Sequence, residues 1–98
     1  MKILEQHLQD SKPTLAVFMR AGRQDAVEVK YLTEALQAKF AGRANIVRVD
    51  GTANQAAMRH YHVDTYPTWI LFKDGQEVWH DGGLKSEGEL SDMIERML

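Results

Sequence analysis

Tyr66-Pro67-Thr68-Trp69-Ile70-Leu71-Phe72-Lys73-Asp74-Gly75-Gln76 is the stretch on which the fold turns. The proline biases the residue before it away from helix. Trp69 to Phe72 is an apolar run with β-favouring side chains and reads as a strand. Asp74-Gly75 suits the two positive dihedrals of a type I′ turn, so the chain doubles back as a hairpin and Val78 to His80 returns as the next strand.

Upstream, Leu15-Ala16-Val17-Phe18-Met19 is apolar on both alternating faces, the pattern of a central strand covered by two layers. A polar turn around Gly22 follows, and Asp25 with Glu28 three residues on resembles a capping box. Val27, Tyr31, Leu32, Ala35, Leu36 and Phe40 then form an apolar stripe at helical spacing, with Gly42 placed to end the helix. Ile46 to Asp50 is a further strand, and strand-helix-strand of this length is a βαβ unit with parallel strands. Thr52 with Gln55 is another capping signature, opening a short helix that stops near His62.

At the two ends lie amphipathic helices. Ile3, Leu4 and Leu8 mark the first, closed by Ser11-Lys12-Pro13. Downstream of Gly82-Gly83, Ser86 and Glu89 form a third capping box ahead of Leu90, Met93, Ile94, Met97 and Leu98. The expected order is α-β-α-β-α-β-β-α in a single domain over residues 1–98, a length sufficient for a core without disulfides.

Twelve basic and fourteen acidic side chains leave a net charge of −2, with no basic run to follow a phosphate backbone, so no nucleic-acid partner is expected. No stretch approaches the ~20 apolar residues that span a bilayer, and no membrane partner is expected. The first ten residues lack the continuous apolar core of a signal peptide, and the expected location is cytoplasmic. No metal or cofactor is expected: there is no cysteine, and His60 and His62 would need third and fourth ligands. The same absence of cysteine excludes thiol-disulfide exchange, which needs an attacking and a resolving thiol.

The element order, the X-Pro-Thr before the hairpin and the glycine after it resemble the thioredoxin family over nearly the whole chain. The resemblance is carried by Val49-Asp50, Tyr61, Tyr66-Pro67-Thr68, Phe72-Lys73-Asp74-Gly75 and Gly83-Leu84-Lys85-Ser86 through Leu90. It implies a three-layer α/β/α sandwich, a mixed four-stranded sheet with helices on both faces, lacking the family's first edge strand. It also implies a cis bond before Pro67. The family's Trp-Cys-Gly-Pro-Cys stretch falls on Ala21-Gly22-Arg23-Gln24-Asp25, with both cysteine positions changed, to Gly22 and Asp25. The family's buried acid falls at Ala16 and its lysine partner at Ile46.

The resemblance therefore points to a redox-inactive domain with no catalytic residue. Its expected use is to bind a protein or peptide segment, in a chaperone-like or assembly role. The groove is expected beside the cis-proline, formed by the degenerate loop with Tyr66, Pro67, Thr68 and Gly83. Two alternatives stand beside it: a thiol-free enzyme or glutathione or small-acid binder near Arg23, and a structural subunit of a homo-oligomer. The oligomeric state is left open. Individual residues carry two readings as well: Asp25 as helix N-cap or general base, Arg20 and Arg23 as solvated cations or an anion site, and Trp69 and Trp79 as core or as a ligand platform.

Overall fold

The computed structural model of the chain describes residues 2–98, with side chains from Leu4 onward. The expected part of Ile3 in the first helix's apolar face lies outside the described side chains. In chain order the elements are α1 (Lys2–Leu8), β1 (Thr14–Met19), α2 (Gln24–Lys39), β2 (Asn45–Asp50), α3 (Gln55–His60), β3 (Thr68–Lys73), β4 (Gln76–Gly82) and α4 (Glu87–Glu95). The sheet runs β2-β1-β3-β4, with β1 parallel to β2 and antiparallel to β3. The crossover through α2 returns the chain so that β2 runs parallel to β1, and the tight turn after β3 makes β4 antiparallel to it.

The β3–β4 hairpin closes with Lys73 opposite Gln76, and Asp74 (φ 52°) and Gly75 (φ 75°) take the two positive dihedrals that an Asp-Gly turn provides. Leu71 pairs with Trp79 while Phe72 pairs with Glu77, so Val78 is the extra residue of a bulge and stands largely exposed.

Period-two alternation sends the strands' side chains into two cores. On one face Leu15, Val17, Ile46, Trp69 and Leu71 pack against Val29, Leu36 and Phe40 of α2 and Leu90 and Ile94 of α4. On the other, Ala16, Phe18, Val47, Val49, Ile70 and Phe72 pack against Leu4 of α1, Val63, and Ala57, Met58 and Tyr61 in and beside α3. This is the three-layer sandwich, and it explains why β1 and β3 are apolar throughout: each is covered twice. Every fully buried Leu, Val or Phe here contributes about 1.5–3 kcal/mol. Among the described residues no helix is long and apolar enough to cross a membrane.

Three sequence expectations are corrected. The buried face of α2 is Val29, Thr33, Leu36 and Phe40, with Leu32 beside it, whereas Val27 and Tyr31 are 57% and 67% exposed and Ala35 is exposed too. Thr33 can occupy the core because its hydroxyl donates to the carbonyls of Val29 (2.8 Å) and Lys30 (2.9 Å) within its own helix. Thr52 does not cap α3. The N-cap is Asn54, without a side-chain cap, and the Thr52 hydroxyl donates instead to Asp50 at 2.7 Å. Leu98 is exposed, so the apolar face of α4 is Leu90 and Ile94, flanked by Met93 and Met97. The Ser86–Glu89 capping box of α4 is present in full.

Candidate functional site

The site is assembled from three loops at one end of the sheet. The first leaves β1 at Met19 and enters α2. Ala21, Gly22, Arg23 and Gln24 are exposed. Gly22 has φ 88°, a left-handed conformation that costs an L-residue roughly 1–2 kcal/mol. The backbone at Gly22, where the resemblance puts the first thiol, is therefore unsuited to a cysteine. Arg23, not Asp25, is the N-cap of α2, and it makes no side-chain cap. Asp25 lies within the first turn, where a carboxylate interacts favourably with the helix dipole. It accepts a hydrogen bond from Arg23 Nε at 3.2 Å, so Arg23 is already paired.

The second loop precedes β3. The Tyr66–Pro67 peptide bond is cis, and Pro67 is buried. Thr68 is only 3% exposed, and its hydroxyl donates to the Thr65 carbonyl at 2.8 Å, so it holds the loop and presents nothing to a ligand. The Tyr66 ring lies over Gly51 on one side and within 5.8 Å of the Arg20 guanidinium, a cation–π distance. Among the described residues the N–H and C=O of Tyr66 have no hydrogen-bond partner.

The third loop follows β4. Gly83 N–H donates to the Pro67 carbonyl at 2.9 Å, and the Gly83 carbonyl accepts from Trp69 Nε1 at 3.0 Å. These two bonds lock the second and third loops side by side and satisfy the indole of a tryptophan that is fully buried, so Trp69 is core. Trp79 is half-buried opposite Leu71 and packs on the same core. Beyond Gly83, Leu84 is 53% exposed. With Arg23, Gln24, Asp25 and Glu28 it walls a concavity of about 380 Å³. Sequence reasoning misses Leu84 as a site residue, although a large apolar side chain directly after Gly82-Gly83 in a polar stretch is an available signal.

The structure thus brings Arg23, Gln24 and Asp25 of the degenerate loop and Leu84 around one concavity, with Gly83 and Pro67 bonded to each other beside it, while Ala21 and Gly22 line a concavity on the loop's other flank. Tyr66 and Pro67 are not among the walls. The expected acid and lysine positions separate. Ala16 pairs across the β1–β2 ladder with Val47, while Ile46 pairs with Leu15 and faces the opposite core. The residue that faces Ala16 is Val47, and it is also apolar. His60 packs edge-on against Tyr61 at 4.7 Å, His62 sits in a turn, and no group of three or more His, Cys, Asp or Glu among the described residues could hold a metal.

A parallel pair extended by an antiparallel hairpin, helices on both faces and a cis-proline loop bonded to the loop after the hairpin define an α/β protein of thioredoxin fold. The sequence profile of the thioredoxin family matches residues 26–96. A thioredoxin of Staphylococcus aureus is 34% identical over 65 residues, which are 66% of this chain and 62% of that protein. A variant thioredoxin from Halobacterium salinarum NRC-1 superimposes with a TM-score of 0.90 at 29% identity, covering 99% of this chain and 84% of that one. The thioredoxin of Fasciola hepatica shares the fold at a TM-score of 0.83 and 24% identity, over 99% and 89% of the two chains. The chain belongs to the thioredoxin family, and it does so without a cysteine.

Proposed function

We propose that this chain is a redox-inactive member of its family that holds an extended segment of another protein in the groove beside Tyr66 and Pro67, in a chaperone-like or assembly role. The observation that carries this reading is the free N–H and C=O of Tyr66, next to a pair of loops that open onto the Leu84 concavity. An unpaired backbone donor and acceptor is what strand addition uses, main-chain bonds supplying affinity and a neighbouring pocket selectivity. Nothing in that geometry needs a thiol.

The test is binding of a library of unstructured decapeptides to the native chain and to Leu84→Trp, which fills the concavity from an exposed position. Peptides held by the native chain, lost by the variant and shifting the Tyr66 amide resonance support the groove. Equal retention by both forms, or binding that leaves Tyr66 unmoved, overturns it.

A further inference from the structure

A second surface lies on the other flank of the degenerate loop, where α2 crosses the edge of the sheet. There β1 is the only strand paired with β2 among the described residues, and on the outer edge the carbonyls of Ile46 and Asp50 accept from Gln37 Nε2 at 3.2 Å and Asn54 Nδ2 at 2.9 Å, which leaves the backbone of Arg48 between them. Arg48 is two residues from Ile46 on that strand and so projects from the same face, the one α2 covers. Beside it is a concavity of about 370 Å³ walled by the loop from Ala21 to Arg23 together with Met19, Ala26, Val27, Lys30 and Arg48. Val27 is 57% exposed and Tyr31, one turn further along α2, is 67% exposed.

The charges here are one-sided. No carboxylate is among the walls. Lys30 and Arg48 form no ion pair or side-chain hydrogen bond among the described residues, and nearby Asp50 is engaged by the Thr52 hydroxyl and N–H on the loop beyond. An apolar floor flanked by two unpaired cations, beside a strand edge left open at Arg48, is complementary to one kind of occupant. We propose that it docks an extended acidic peptide segment, one whose apolar side chains enter the Met19–Val27 concavity while its carboxylates meet Lys30 and Arg48. Its backbone pairs with the outer edge of β2 at Arg48, since the carbonyls of Ile46 and Asp50 are taken by Gln37 and Asn54. This site shares Arg23 with the Leu84 concavity but includes neither Leu84, Tyr66 nor Pro67, and the proposal does not rest on the groove.

The test uses the ¹⁵N-labelled chain and two probes of equal apolar content, acetyl-Glu-Val-Glu-Phe-Glu-amide and its counterpart with lysine at each glutamate. The acidic probe is expected to shift the amides of Met19, Val27, Lys30 and Arg48. Its affinity should fall with added salt, and at least about tenfold in Lys30→Glu/Arg48→Glu, because two attractions become repulsions. Both substituted residues are exposed, and an unchanged amide spectrum elsewhere verifies the fold. Leu84→Trp should bind the probe as the native chain does, which separates this site from the groove. Equal binding of the lysine probe, an unaltered affinity in the double variant, shifts centred on Tyr66 and Gly83, or no shifts at all each overturn the proposal.

Discussion

Gly51 sits at the end of β2 where no side chain has room. A Cβ there would lie 2.6 Å from both Cε1 and the hydroxyl of Tyr66 and 2.8 Å from Sδ of Met58. The thioether can swing away, since Met has three rotatable bonds. The tyrosine ring has less freedom, with the Arg20 guanidinium 5.8 Å from its centroid. Gly51 is thus the floor that sets the height of Tyr66, and through it the backbone of the proposed groove. Gly51→Ala is expected to destabilise the fold by about 1–3 kcal/mol, the usual range for overfilling a packed site. Urea denaturation reads that loss, and ring resonances of Tyr66 that move in step identify its cause. Native stability with unmoved resonances would mean that the ring does not rest on Gly51.

The element with the clearest local specification is α4. Ser86 Oγ accepts from Glu89 N–H at 3.1 Å, and the Glu89 carboxylate reaches back to Ser86 N–H at 3.4 Å. Ser86→Ala should cost about 1 kcal/mol in chemical denaturation and Ser86→Gly only a few tenths, because glycine is itself a tolerated cap. Just ahead of the cap, Lys85 Nζ donates to Asp81 Oδ2 at 2.6 Å, and this hydrogen bond, with the charge behind it, holds the Asp81 carboxyl below its ordinary value. A depressed folded-state pKa contributes stability above the unfolded value of about 3.9 and loses it as pH falls through the lower, folded one. In Lys85→Met, carboxyl-carbon NMR should place the Asp81 titration higher than in the native chain, with a shallower loss of stability below about pH 4. An unmoved titration would show that the pair does not persist in solution. The cap and the Asp74-Gly75 turn are legible in the sequence because each closes within three residues. The packed face of α2 is not. Val27, Tyr31 and Ala35 make a regular row, but Thr33 satisfies its own hydroxyl and belongs to the buried one. Which row faces the sheet is a tertiary choice. The start of α2 misleads for a similar reason, since Asp25 pairs with Arg23 where an N-cap is expected.

Over the whole molecule, the sheet divides two apolar cores, and that division decides what the lost redox apparatus could mean. That the chain has no thiol is readable at once, and the resemblance puts the replaced positions at Gly22 and Asp25. The facing of Ala16 and Ile46 is not, because it depends on a β1–β2 register that no local pattern encodes. Ala16 is fully buried among Leu4, Phe18, Val47, Val49, Val63, Ile70 and Phe72, with no cation in that cluster. A carboxyl placed there by Ala16→Asp should therefore titrate about 3 or more pH units higher than an exposed one, as so deeply buried a group does. Such a rise makes the variant least impaired below the unfolded pKa and increasingly unstable as pH climbs toward the folded one, losing about 1.4 kcal/mol for each pH unit climbed between the two. Denaturation at pH 4 and pH 7 measures the difference. The same background tests the register. Val47 neighbours Ala16 on one face, and Ile46 looks into the other core. Both residues are on the sheet's outer strand, where a lysine stem can lie along apolar surface and bring its ammonium toward water. Val47→Lys should then recover stability lost in Ala16→Asp at pH 7, and Ile46→Lys should not. The reverse order of rescue would require the acid and lysine positions to share a face, and with it a different pairing of β1 with β2.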